Sequence, residues 1–123
     1  MSLERLRQNY IKKVQIFFDY LTTDYGYTFI GIKQSDWTDK VIYENSKIDR
    51  KIVLSNSYHP SDYGFEIQWY RPSISTNNSD REFQIYVLKE MQDVDQEYLS
   101  KSAEQLKNQY FGIIKGENWI GTK

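Results

Sequence analysis

The chain has 123 residues, with 16 basic and 17 acidic side chains and no cysteine. These numbers fit one domain over residues 1–123, and they exclude disulfides, thiol catalysis and cysteine-based zinc sites. A net charge of −1 lacks the basic excess that nucleic-acid binders use to neutralise phosphates, so no nucleic-acid partner is expected. Charged residues interrupt the N-terminal apolar positions, which excludes a signal peptide or membrane span there and favours a cytoplasmic protein.

An amphipathic helix is predicted over residues 3–23. Its apolar side chains recur in steps of three and four, the spacing of one helical face. They are Leu3, Leu6, Tyr10, Val14, Phe17 and Leu21. Gly26 is expected to end the helix, since glycine tolerates the left-handed conformation common just beyond a C-terminus.

Five segments that follow are predicted to be strands, with a short helix left open as the alternative for the last. They are residues 27–33, 40–44, 50–58, 65–70 and 82–88. Alternation is clearest in 65–70, where Phe65, Ile67 and Trp69 fall on one face. Glu66, Gln68 and Tyr70 fall on the other, which predicts one covered and one solvated face and hence an antiparallel sheet.

A second helix closes the chain. Its apolar stripe includes Leu99, Ala103 and Leu106; Asp93 or Asp95 is expected to cap its start, and a later glycine to end it. The predicted fold is α+β: an antiparallel four- to five-stranded meander with an N-terminal and a C-terminal helix packed on one face.

No catalytic residue, metal ligand or cofactor is expected from the motifs. His59 is the only histidine, and the serine and aspartate near it in sequence do not make a triad, which is assembled in space. Asp36 and Asp39 flank Trp37 in a segment typical of a turn, which explains the carboxylates without acid–base chemistry.

The aromatic content is the unusual feature: 11 Tyr, 6 Phe and 3 Trp are too many for one core, so some rings are expected on the surface. Tyrosine and arginine are enriched where proteins bind one another. Tyr58, His59, Tyr63, Tyr70 and Arg71 are therefore the predicted partner-binding residues.

Several segments resemble a loose group of small bacterial α+β proteins, some of which are similar to the immunity proteins of bacterial toxin systems. The similar segments are 24–27 (DYGY), 41–45 (VIYEN), 63–66 (YGFE) and, most closely, 110–119 (YFGIIKGENW). These motifs are helix ends, strands and turns, so the resemblance carries over no catalytic residue. It implies a protein that acts by binding another protein.

Two functions of different classes follow. The first is a non-enzymatic protein-binding module, such as an immunity-like inhibitor of a bacterial toxin domain, with homodimerisation as another use of the same aromatic surface. The alternative is a small-molecule-binding protein or enzyme with an aromatic-lined cleft between sheet and helices, where Asp36, Trp37 and His59 would be the first residues to test.

Overall fold

The structure, a computed structural model, is described for residues 3–59, 64–73, 82–88, 91–92 and 96–117, with the backbone alone for 82–84 and 86. Two helical segments precede five strands, and two more follow them. They are α1 (Leu3–Phe17), α2 (Tyr20–Thr23), β1 (Thr28–Gln34), β2 (Thr38–Asn45), β3 (Arg50–Ser57), β4 (Gly64–Tyr70), β5 (Glu82–Leu88), α3 (Glu97–Gln109) and α4 (Phe111–Ile114), with a 3-10 turn over Ser46–Ile48 between β2 and β3.

The predicted α+β meander is confirmed. The five strands lie in the order β1-β2-β3-β4-β5, and each neighbouring pair is antiparallel. The segment 82–88, for which a helix was the alternative, is the fifth strand. Core-facing side chains of β2 to β5 share one cluster with those of all four helices, so the helices cover a single face of the sheet.

Buried tyrosines connect the helices to the rest of the fold. The hydroxyl groups of Tyr10, Tyr20 and Tyr27 each donate a 2.8 Å hydrogen bond to a backbone carbonyl, in β3, α3 and α4 respectively. Each ring therefore contributes buried apolar area while its hydroxyl stays satisfied. This accounts for part of the aromatic excess, and other rings do reach the surface, as predicted.

The first predicted helix is divided. α1 ends at Phe17, and α2 begins at Tyr20 after a turn in which the amide of Leu21 donates to the carbonyl of Phe18. Leu21 is buried as predicted, but Phe18 is fully buried where the predicted apolar stripe had Phe17, which is only partly buried. Gly26 follows with φ +75°, in agreement with its predicted role.

The start of α3 differs from the prediction. The residue that precedes α3 is Gln96, in a left-handed conformation with φ 59°, and its side chain makes no capping hydrogen bond. Asp93 and Asp95, the predicted caps, lie outside the described residues. The side-chain amide of Gln96 instead donates to the Leu6 carbonyl at 3.4 Å, and this hydrogen bond connects the start of α3 to α1.

The face opposite the helices is less open than predicted. Gln68, expected in solvent, is only 2% exposed, and its strand neighbour Val53 is also buried. The hydroxyl of Tyr70 donates to Gln68 Oε1 at 3.0 Å, and the Lys51 ammonium lies 4.8 Å from the Tyr70 ring centre. Long side chains lying along the sheet thus shield the shorter ones between them.

Candidate functional site

An ion pair between the half-buried Arg7 and the buried Asp39 fixes the turn between β1 and β2. Asp39 is fully buried, and its Oδ1 lies 2.7 Å from Nη2 of Arg7, which reaches over from α1. The same guanidinium donates to the backbone carbonyls of Ser35 and Asp36 at 2.6 and 2.9 Å, and Gln34 donates to Asp39 at 2.9 Å. A buried carboxylate needs such partners, and together they hold the turn in one conformation.

Trp37 stands at the tip of this fixed turn. The register of β2 with β3 places Thr38 opposite Ser57, and the amide of Tyr58 donates to the Trp37 carbonyl at 2.8 Å. The rings of Trp37 and His59 then meet edge to face with centres 5.3 Å apart. Trp37 is 44% exposed, so a large aromatic side chain lies on the surface, on a turn that these contacts hold in place.

Tyr58 packs against the Arg7 guanidinium that fixes this turn. Its ring centre is 5.4 Å from the Arg7 guanidinium carbon. Burial, and then the negative charge of Asp39, raise the pKa of Tyr58 far above its ordinary value. The phenol stays protonated at neutral pH, so it offers no general base or nucleophile.

The structure divides the predicted partner-binding residues between two ends of the sheet. Tyr58 and His59 follow the end of β3, whereas Tyr70 lies opposite Lys51 near its beginning. Seven residues of extended chain separate those positions, or about 23 Å. Arg71 is half-buried beside Tyr70, and Tyr63 lies outside the described residues.

The alternative trio is brought together only in part. The rings of Trp37 and His59 are in contact. The main-chain carbonyl of Asp36 instead accepts a hydrogen bond from Arg7. A groove of about 500 Å³ lies between α1 and the end of β1, with lining that includes Leu3, Ile11 and Gln34 but none of the trio. This groove is therefore separate from the trio.

Sequence reasoning missed the ion pair, although a pattern for it exists. Asp39, Val41 and Tyr43 alternate along β2, and all three are buried on the helix side. Alternation therefore assigns Asp39 to the core face, where a carboxylate requires a cationic partner. That this partner is Arg7 could not be predicted, because it depends on how α1 crosses the sheet.

A second surface feature is the first strand itself. β1 is the edge of the sheet, and its side chains Phe29, Ile30 and Ile32 are 41%, 54% and 39% exposed. Soluble proteins usually break up such runs, because an unpaired apolar edge can add further strands. The strand leads through the β1–β2 turn to Trp37, so the two features adjoin.

Within the described ranges, no group of three or more histidine, aspartate and glutamate side chains is placed to hold a metal ion. The described helices include none with the length and apolar character needed to cross a membrane. The chain matches no protein-family model, no curated protein and no solved structure.

Proposed function

We propose that this protein is a non-enzymatic protein-binding module, which acts as an immunity-like inhibitor by occupying a surface of a bacterial toxin domain. The observation that carries the proposal is the exposed Trp37, which contacts His59 and lies on a turn fixed by the ion pair of Arg7 with the buried Asp39. The resemblance of several segments to small bacterial immunity-type proteins supports the choice of partner.

The physical reason is preorganisation. Binding energy at protein interfaces concentrates in a few large side chains, with tryptophan, tyrosine and arginine enriched among them. A side chain that is already ordered loses less conformational entropy when the partner arrives. Trp37 meets both conditions, since its turn is tied to α1 through Arg7 and to β3 through the Tyr58 amide.

Affinity capture from the organism that encodes the protein tests this function. The bait is compared with Trp37→Ala and with Phe111→Ala, a control because Phe111 is 46% exposed on α4. We expect a specific protein partner, lost with Trp37→Ala at a cost of about 2 kcal/mol or more in binding, and retained with Phe111→Ala. Unchanged capture by Trp37→Ala would remove the observation on which the proposal depends.

The toxin assignment has its own test. A gene encoding a toxin domain next to this one would supply the partner directly, whereas a metabolic operon would argue against it. Co-expression of that toxin with the wild-type protein should restore growth, and co-expression with Trp37→Ala should not. Equal protection by both proteins would show that Trp37 is not part of the inhibitory surface.

A further inference from the structure

The unpaired side of β1 has the properties of a strand acceptor. β1 pairs with β2 on one side, and in the described part of the chain no strand pairs with its other side. An extended segment can add to such an edge through main-chain hydrogen bonds, with alternate side chains giving specificity. The exposed Phe29, Ile30 and Ile32 would be covered by the apolar side chains of that segment.

The charges near the end of β1 indicate the chemistry of the segment. Lys33 and Lys40 lie directly opposite each other, which is an unfavourable arrangement for two like charges. Neither lysine side chain forms an ion pair or hydrogen bond with any other residue that the structure describes. A carboxylate on an added strand beside Lys33 would relieve this repulsion.

We propose that β1 receives an extended segment of the partner protein, with apolar residues along the strand and an acidic residue next to Lys33. The inference rests on the proposed function and deepens it by naming the surface and the chemistry of the segment. The acidic residue belongs at the Lys33 end, because at the other end Glu44 lies opposite Thr28 and already supplies a carboxylate.

A second copy of this chain fits the edge less well. The sequence of β1, TFIGIKQ, contains no acidic residue, so a copy that pairs through the same strand brings no carboxylate to Lys33. It would instead add its own Lys33 and Lys40 to the joined sheet. Charge complementarity therefore favours a different chain.

The groove beside α1 continues the acceptor site. Its lining joins Leu3 and Ile11 of α1 to Gln34 and Ser35 at the end of β1. A strand added to β1 would pass along this groove, and its helix-side residues would pack on those apolar side chains. The segment then gains side-chain burial in addition to its main-chain hydrogen bonds.

Two features of β1 have a competing explanation, which is protection of the sheet edge against the addition of unwanted strands. Sheet edges often carry a lysine and a β-bulge, which discourage unwanted strands, and β1 has Lys33 and an irregularity between Phe29 and Gly31. Protection alone does not account for three exposed large apolar side chains within seven residues. The experiment must therefore distinguish an acceptor from a protected edge.

Photo-crosslinking identifies what lies on the edge. The crosslinker benzoylphenylalanine replaces Ile30 in one variant and Ile16, exposed on α1, in a control, and both are irradiated in lysate of the native organism. We expect Ile30→benzoylphenylalanine to label a partner within an extended segment that contains aspartate or glutamate, and the Ile16 variant to label no such segment. Labelling of this same chain would identify a second copy and overturn the proposal.

Charge reversal then tests the acidic contact with the partner so identified. Lys33→Glu should lower affinity roughly tenfold or more, because a like charge then faces the carboxylate of the partner. Lys33→Arg should retain binding, and Lys101→Glu on α3 provides the same charge change at a position away from β1. Melting temperatures of all three variants confirm that folding is intact.

The outcomes separate this inference from the proposed function. If Trp37→Ala abolishes binding while Lys33→Glu leaves it unchanged, the protein binds its partner elsewhere and the strand-acceptor proposal fails alone. If no partner is captured by any variant, both proposals fail. If Lys33→Glu only makes the protein self-associate, Lys33 is a protective residue and the proposal is overturned.

Discussion

Trp69 and Tyr70 are consecutive residues of β4 with different surroundings. Trp69 is fully buried with its ring centre 5.2 Å from that of Tyr110, and its indole Nε1 has no hydrogen-bond partner in the described structure. Tyr70 lies on the other face over Gln68. The alternation of the strand thus gives neighbouring aromatic residues separate roles.

Trp69→Ala should reduce the free energy of unfolding by about 3–5 kcal/mol, the usual range for deleting a large buried ring. Trp69→Phe should cost less, because it keeps most of the ring and removes an unpaired donor. Tyr70→Ala should cost about 1–2 kcal/mol, since it leaves the buried Gln68 oxygen without the Tyr70 hydroxyl. Denaturant unfolding measures the free-energy loss of all three variants. Equal losses for the two alanine variants would contradict the finding that Trp69 is buried in the core and Tyr70 is not.

Asp49 gives the fold a pH dependence. Its carboxylate accepts from the Ser73 hydroxyl at 2.5 Å and from the Ser73 amide at 2.9 Å. The hydroxyl contact is the main cause of a lowered pKa for Asp49, with contributions from the positive charges of Arg50 and Arg71. These contacts connect the turn before β3 to the chain that follows β4.

Because the folded-state pKa lies below the unfolded value of about 3.9, the stabilisation by Asp49 is present above that pH. It is lost as pH falls through the folded pKa. Asp49→Asn keeps a residue that tolerates the left-handed backbone, here φ 57°, and removes the charge. The stability curves of wild type and variant should differ at pH 6 and converge in acid; a constant difference down to pH 2 would contradict the assignment.

At the scale of elements, two glycines differ in what surrounds them. Gly116 ends the C-terminal helical region with φ +79°, and a Cβ there would lie 2.6 Å from the Ile48 Cβ. Gly26 has a similar φ of +75°, but the nearest atom to its Cβ position is 3.5 Å away. Both positions require a left-handed backbone, and only Gly116 also requires the absence of a side chain.

Gly26→Ala should therefore cost about 1–2 kcal/mol for the backbone conformation alone. Gly116→Ala should cost a further 1–3 kcal/mol or so, because the added methyl group overlaps Ile48 and forces the two elements apart. Thermal or urea unfolding of the pair isolates the packing contribution. Equal losses would mean that Ile48 moves aside without cost.

Most of the elements could be predicted from the sequence because their apolar periods are strong and local. The strand boundaries agree within two residues, and alternation in β4 assigned Trp69 to the core. The divided first helix could not be predicted, because the turn at residues 18–19 keeps apolar residues at spacings that a helix also allows. The N-cap of α3, Gln96, departs from the usual capping preferences, so propensity did not indicate where α3 begins.

At the scale of the whole molecule, the candidate site depends on pairing between distant segments. The contact of Trp37 with the Tyr58–His59 segment follows from the β2–β3 register, which counts outward from Asn45 opposite Arg50. The sequence allows that register to be predicted, because only the four residues 46–49 connect β2 to β3. The exposure of β1 could not be predicted, because its composition is that of an ordinary strand and only the sheet order makes it an edge.

The same dependence on strand pairing explains why Tyr58 and Tyr70, two of the predicted partner-binding residues, lie at opposite ends of β3. Tyr58 and Tyr70 are close in sequence, but an antiparallel pair carries the chain back along its own length. Tyr70 therefore returns to the Lys51 end of β3. The aromatic ring in edge-to-face contact with His59 is that of Trp37, which comes from an earlier turn and adjoins the exposed edge of β1.

Amide hydrogen exchange of the protein with and without its captured partner tests the central claim, that binding occurs through β1 and the adjoining Trp37 turn. We expect slower exchange on binding for residues 28–39 and 58–59, since an added strand protects edge amides and the partner covers the turn. Exchange in α3, which contacts β5 at the far edge of the sheet from β1, should not change. Protection confined to α3 and β5, with β1 amides exchanging as in the free protein, would show that the partner binds elsewhere than at β1 and the Trp37 turn.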